Sequence, residues 1–265
     1  MGTQPIPRNN GGMSNAGLFA TVAREYANFR PGYPPELFAW LARISPAQDS
    51  VWDCGCGSGQ ASIALAEHFA VVHATDVAPE QIAAAKSHSR VRYSSAPAER
   101  SGLADQSVDL VTVAQALHWF DVTAFYAEAV RVARPGALLA VWSYPRPQFS
   151  DAELDRRFLA FYSDIVGPYW PPERRHIESW YRTLPFPFEQ MVSPPFGIEL
   201  SWNIDQVAGY VSSWSASVRY RKALGTDPVP LLRESLAAAW PANRANVPLR
   251  MPIGLRVGKL ARPGS

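Results

Sequence analysis

Val51-Trp52-Asp53-Cys54-Gly55-Cys56-Gly57-Ser58-Gly59-Gln60 decides how the chain is read: an apolar strand run stops on an acid and opens into three alternate glycines before a helix. A glycine has no Cβ, so a turn built this way folds tightly and lets a ligand lie directly on the backbone. The stretch therefore reads as a cofactor seat, and its spacing separates the two obvious occupants. The dinucleotide fingerprint places its third glycine three positions after the second, where the turn meets the helix. Here that position is Gln60, and the pattern is instead acid-x-Gly-x-Gly-x-Gly.

That pattern resembles the class I S-adenosylmethionine-dependent methyltransferases, and the distances to later residues extend the resemblance. Val71-Val72-His73-Ala74-Thr75-Asp76 reads as the second strand, with Asp76 closing it about twenty residues after Gly55, where nucleotide-binding α/β folds place the acid that accepts both ribose hydroxyls. The competing reading of Asp76 is a cap for the helix that begins at Pro79, and one residue can serve both ends. In this fold Val77 would lie against a face of the adenine. The third strand, Val91 to Ser94, leads to Ala96-Pro97-Ala98-Glu99. Many members of the class carry Gly-Asp-Ala-Glu there. Pro97 stands at the Asp position, so the adenine edge is expected to rely on the backbone of Ala98, with Glu99 beside it.

The fourth strand, Ser107 to Val113, ends at Ala114-Gln115-Ala116-Leu117-His118-Trp119-Phe120-Asp121. Ligands of open α/β sheets sit outside the carboxyl ends of the strands, so this segment is expected to face cofactor and substrate together. With Arg30-Pro31-Gly32-Tyr33-Pro34 upstream, the run looks like the trans-aconitate methyltransferase branch, whose better-known members methylate small carboxylic acids. The resemblance implies cofactor contacts from Tyr26, Arg30, Asp53, Gly55, Cys56, Gly57, Gly59, Asp76, Val77, Pro97, Ala98, Glu99, Ala114 and Gln115. It implies substrate contacts from Tyr33, Trp119, Trp142 and Trp214. Arg30 reads equally as the cap of its own helix. His118 is the candidate general base for a hydroxyl acceptor, and its plainer role is to fix the loop; a carboxylate acceptor needs no base.

The remaining pattern sets the fold class. Phe19, Val22, Tyr26 and Phe29 recur at helical spacing, Pro34-Pro35 opens a second helix, and Ala61 to Phe69 reads as a third. Asp121 caps the next, and Pro135-Gly136 ends it before a fifth strand, Ala137 to Trp142. Alternating helices and apolar strands predict a Rossmann-like, doubly wound α/β sheet of seven strands, mostly parallel with an antiparallel C-terminal strand and helices on both faces. Residues 1–15 are expected to be a tail and 16–265 one domain: cap helices at 16–46, a cofactor core at 47–143, an aromatic lid at 144–196, and closing elements at 197–265. The closing elements are a strand from Phe196 to Trp202, helices from Asp205 to Ser213 and Pro230 to Ala239, and a strand from Met251 to Val257. The arginines of the lid, Arg174 and Arg175 among them, could hold a carboxylate in fork geometry.

Composition narrows the partners. Lys and Arg number 25 against 23 Asp and Glu, a net charge of +2 with no basic run, which argues against a nucleic-acid backbone as partner. Ser193-Pro194-Pro195-Phe196 matches a motif of DNA-base amino methyltransferases, but in those enzymes it directly follows the fourth strand, where this chain has Ala114-Gln115-Ala116-Leu117. Cys54 and Cys56 are the only cysteines, at a spacing that suits neither a disulfide scaffold nor a zinc site, and no metal is expected. The start lacks a basic-then-apolar signal pattern, and no apolar run approaches bilayer length, so a cytoplasmic enzyme acting on a small-molecule substrate is expected. Two alternatives remain open at this level: a nicotinamide-dependent oxidoreductase on the same sheet, and a cofactor-binding module without turnover.

Overall fold

The computed structural model describes residues 31–260. Tyr26 and Arg30, the helix drawn through Phe19 to Phe29, and the 1–15 tail lie outside the described residues. The elements follow in order: α1 (Pro35–Ile44), β1 (Ser50–Cys54), α2 (Gln60–Ala66), β2 (Val71–Asp76), α3 (Pro79–Ala83), β3 (Val91–Ser95), β4 (Val108–Ala114), α4 (Val122–Val132) and β5 (Ala133–Ser143). Then come β6 (Gln148–Phe149), α5 (Ala152–Ala160), α6 (Arg174–Glu178), β7 (Glu189–Met191), β8 (Phe196–Trp202), α7 (Ile204–Ser212), α8 (Ser215–Leu224), α9 (Val229–Ala237) and β9 (Val247–Lys259).

The sheet runs β3-β2-β1-β4-β5-β9-β6, parallel from β3 through β5 and antiparallel at β9. Central parallel strands are covered on both faces, which is why β1 is buried along its whole length and β4 up to Val113. β9 is long enough to serve two sheets. Its last residues pair with β5 on one side and β7 on the other, and its first half pairs with β8 and β6. The seven expected strands are all present, and β6 and β7 add two. Both are too short to leave an apolar period in the sequence. α8 was also not expected; of its residues only Ala216 and Ser217 are buried, so it carries almost no apolar stripe.

Two cores flank the sheet. One packs α1 and α2 with the helices that follow β5, through Leu37, Phe38, Trp142, Leu154, Phe158 and Trp214. The other packs α4 through Trp52, Phe125, Ala129, Val132 and Leu139. Asp121 caps α4 as expected, accepting from Ala124 N at 3.1 Å. The helix ends at Val132 rather than at Pro135, because Ala133 already pairs with Val108 ahead of a bulge. Within the segment expected as a lid, α5, capped by Asp151, buries Leu154 and Phe158 in the first core, Ile177 and Tyr181 pack in the second, and Arg146 grips Asp155 through two nitrogens at 2.8 and 3.1 Å. Among the described residues no helix is long and apolar enough to cross a membrane.

One buried acid ties the base of the sheet. Asp109 on β4 is 1% exposed, accepts from Asp49 N and Ser50 N at 3.1 and 3.0 Å, and meets Arg134 Nη1 at 2.9 Å. It thus joins the start of β1 to β5. Asp109→Ala leaves two amides without an acceptor and Arg134 with only its 3.4 Å contact to Asp49, and we expect a loss of about 2–4 kcal/mol in urea unfolding. A change below about 0.5 kcal/mol would remove this tie from the account.

Candidate functional site

The turn between β1 and α2 sits where the sequence placed it, at the carboxyl end of the parallel strands. Gly55 N and Cys56 N both donate to Thr75 O, at 2.8 and 3.0 Å, so the end of β2 fixes the turn. Gly55 has φ 68°, and a Cβ there would meet Ala116 Cβ at 2.6 Å and the Phe120 ring at 3.0 Å. Gly59 has φ 84°, and a Cβ there would run into the Tyr93 ring. Glycine is required at both positions by conformation and by space.

Above this turn lies a cavity of about 390 Å³. Of the expected cofactor residues, Gly55, Cys56, Gly57, Asp76, Val77, Pro97, Ala98, Glu99, Ala114 and Gln115 line it, together with Tyr33 and Trp119. Asp76 carries the clearest geometry. Its Oδ2 accepts from Gly57 N at 2.8 Å and its Oδ1 from Ala78 N at 2.9 Å, which points the carboxylate and spends one lone pair on each oxygen. The second of these bonds braces the start of α3, which answers to the cap reading. Val77 is 68% exposed beside Pro97 and Ala98, an apolar ledge on the cavity wall. Glu99 Oε1 accepts from Asp121 N at 3.0 Å.

Gln115 stands at the end of β4 with φ 59°, a backbone conformation rare outside glycine. Its N donates to Trp142 O at 3.0 Å and its Nε2 to Tyr144 O at 2.9 Å, while Oε1 is buried with no hydrogen-bond partner. A strained residue pinned at two points, with an orphaned acceptor on a cavity wall, fits a cationic donor group of a ligand. S-adenosylmethionine fits this set of residues. The free lone pairs of Asp76 suit a ribose diol, the Val77 ledge suits a purine face, and Gln115 Oε1 suits the methionyl ammonium.

Five expected site residues do not reach the wall. Asp53 is fully buried beneath the turn, accepting from Ser62 Oγ at 2.6 Å and Thr112 Oγ1 at 2.9 Å; it ties β1 to α2 and β4. Burial raises its pKa to about 6, against the two hydroxyl donors that lower it. Gly59 precedes α2 under Tyr93. Trp142 is fully buried, edge-on to Tyr33 at 5.6 Å, and Trp214 is buried among Phe158, Tyr162, Trp170 and Tyr210. Both tryptophans were expected to contact substrate, but an indole of that volume also fills a core, and here it does.

His118 is the fifth. Its Nδ1 lies 3.2 Å from Tyr181 Oη, and the two rings stack at 6.0 Å. Burial, then the positive charges of Arg174 and His176, lower its pKa to about 3. Sequence reasoning missed Gln60, Gln81, Phe120 and Tyr144 on the wall. Phe120 follows Trp119 directly and could have been found from the same run; Gln81 and Tyr144 left no signal.

A profile of the methyltransferase domain matches residues 52–141. A protein of Dictyostelium discoideum assigned to the methyltransferases is 34% identical over 226 residues, which is 84% of this chain and 86% of that one. A Mycobacterium tuberculosis protein under the same heading is 34% identical over 172 residues, 64% of this chain and 65% of its own length. A solved structure from Anaeromyxobacter dehalogenans, assigned as a type II methyltransferase, is 46% identical and superposes with a TM-score of 0.83, covering 89% of this chain and all of that one (100%).

Two outcomes follow from the site. Gly55→Ala forces the turn against Ala116 and is expected to abolish binding of S-adenosylhomocysteine in a thermal-shift assay; an unchanged shift would contradict the geometry. For Asp53 the folded pKa lies above the unfolded value, so the native state binds the extra proton and this contribution to stability falls as pH rises through about 4 to 6. Asp53→Asn should therefore gain stability relative to the parent as pH goes from 4 to 7, and a gap independent of pH would refute the shift. The turn, the acid that closes β2, and the extent of these matches lead to one conclusion: the chain belongs to the class I S-adenosylmethionine-dependent methyltransferases.

Proposed function

We propose that the chain transfers the methyl group to a carboxylate oxygen of a small organic acid, forming a methyl ester without a general base. The observation that carries this reading is the state of His118. An imidazole whose conjugate acid has a pKa near 3, held against Tyr181 off the cavity wall, is a weak base at neutral pH. The acids on the wall are already engaged, Asp76 by two backbone amides and Glu99 by one. The Cys56 thiol is held far above its usual pKa, chiefly by burial, and stays protonated. An acceptor in this cavity therefore has to arrive already deprotonated at neutral pH. A carboxylate does, whereas an alcohol or a phenol must shed its hydroxyl proton as the C–O bond forms and a protonated amine must lose one before it has a lone pair.

When bound, S-adenosylmethionine supplies a methyl group on a sulfonium, so the new C–O bond forms as the C–S bond breaks, the C–S pair stays on sulfur, and no proton is released. The protein's own part is to place and to shield. In this reading Asp76 and Gln115 hold the cofactor, and Tyr33, Trp119 and Tyr144, which share the wall with Gln115, enclose the acceptor. Fixing two reactants in this way supplies about 7–11 kcal/mol of barrier reduction. A cavity of about 390 Å³ supports a small acceptor. The run from Gln115 to Asp121 supports an acid through its resemblance to the trans-aconitate methyltransferase branch.

The test is transfer of radiolabelled methyl to a panel of small acids, phenols and amines. The expected product is a label that alkali releases as methanol, formed with the acids alone. Label that enters only phenols or amines would contradict the reading. His118→Asn is expected to keep kcat within about threefold, whereas loss of a general base would cost about a hundredfold or more.

A further inference from the structure

One polar side chain on the cavity wall has no role in the chemistry described so far. Gln81 is 7% exposed and lines the cavity, yet among the described residues its amide takes part in no hydrogen bond. A primary amide offers two donors and an acceptor, and a largely buried one without a partner in its own chain is rare in folded proteins. An apolar side chain of the same length would fill this space without that cost.

The place of the amide is set by the residue that closes β2. Asp76 Oδ1 accepts from Ala78 N at 2.9 Å and Gln81 N donates to Ala78 O at 3.1 Å, so the short helix α3 that carries Gln81 hangs from the Asp76 carboxylate. On the other side, Gln81 Oε1 lies 3.8 Å from the point that a Cβ on Gly57 would occupy, and Gly57 N donates to Asp76 Oδ2 at 2.8 Å. Amide and carboxylate thus share the corner of the cavity at Gly57.

That corner is short of donors. A carboxylate only accepts, so Asp76 can take the protons of a diol and can do nothing for the hydroxyl lone pairs. The backbone amides of Gly57 and Ala78 are already given to Asp76. Val77 and Ala78, the wall residues that follow Asp76, have apolar side chains, and Gly57 has none, so the side-chain N–H groups at this corner come from Gln81. An amide donates to a hydroxyl oxygen whose own proton goes to the neighbouring carboxylate, and each polar atom of the pair is then used.

We propose that Gln81 is a ribose-binding residue: its amide donates to one hydroxyl of the diol that Asp76 accepts, and the two side chains together discriminate against a cofactor that lacks this hydroxyl. The inference concerns the cofactor seat and holds whatever the acceptor is.

The experiment is calorimetric titration of the full chain with S-adenosylhomocysteine and with its 2′-deoxy and 3′-deoxy analogues. Gln81→Met keeps the length of the side chain and removes the amide. It is expected to weaken S-adenosylhomocysteine about fivefold or more, and to change the affinity for one of the two deoxy analogues by less than about twofold, because the hydroxyl served by the amide is absent there. Gln81→Glu, which exchanges the donor for an acceptor beside Asp76, is expected to weaken S-adenosylhomocysteine at least as much. Should Gln81→Met fail to fold, Gln81→Glu carries the same comparison. Unchanged affinity for S-adenosylhomocysteine, or losses of equal size for it and for both deoxy analogues, which would mark the side chain as packing alone, would overturn the proposal.

Discussion

One backbone carbonyl holds the site in register. Thr75 O, at the penultimate residue of β2, receives the amides of both Gly55 and Cys56, and the next residue, Asp76, takes the amide of Gly57. Successive residues of one strand end thereby fix successive amides of the turn. Because a parallel strand keeps its register over its whole length, the depth of the turn above the sheet is set by the pairing of Ser50 through Cys54 with Val71 through Thr75. A slip of one residue would turn Asp76 away from the turn and leave three amides without acceptors.

A second layer of polar contacts lies below. Asp53 reaches α2 through Ser62 and β4 through Thr112, and Trp52 Nε1 donates to Thr75 Oγ1 at 2.9 Å. These buried groups are all paired, so they fix one arrangement of β1, β2, β4 and α2. Gln115 completes the frame from the other side. Its backbone and side chain both reach β5 and the residue after it, which keeps the ends of β4 and β5 at a constant offset. The wall of the cavity around Gln115 is thus built on residues whose backbone is determined from two directions.

The parts legible in the sequence were those whose signal is local. The turn, Asp76, Val77 and the strands β1 to β5 follow from spacing and apolar runs, and β8 emerged with its observed bounds. Other features depend on partners far along the chain. His118 is kept neutral by burial and by the charges of Arg174 and His176, none of which the run around it announces. Trp142 and Trp214 look the same in a sequence whether they face a ligand or a core, and the choice is made by α1 and by the helices after β5. The segment after β5 is rich in aromatics and proline, which suggested a cover; that Leu154 and Phe158 of α5 bury their face in the core depends on partners elsewhere in the chain. Asp53 belongs to the motif that revealed the fold, yet its carboxylate points down to Ser62 and Thr112 and away from the cavity.

The central claim is that the end of β2 presents Asp76 to a ribose above the glycine turn. Titration calorimetry of S-adenosylhomocysteine against the parent chain and Asp76→Ala tests it most directly. The account predicts one site on the parent and an affinity about tenfold or more lower in the variant, with NADH failing to compete. Equal affinity for both proteins, or displacement by NADH, would contradict it.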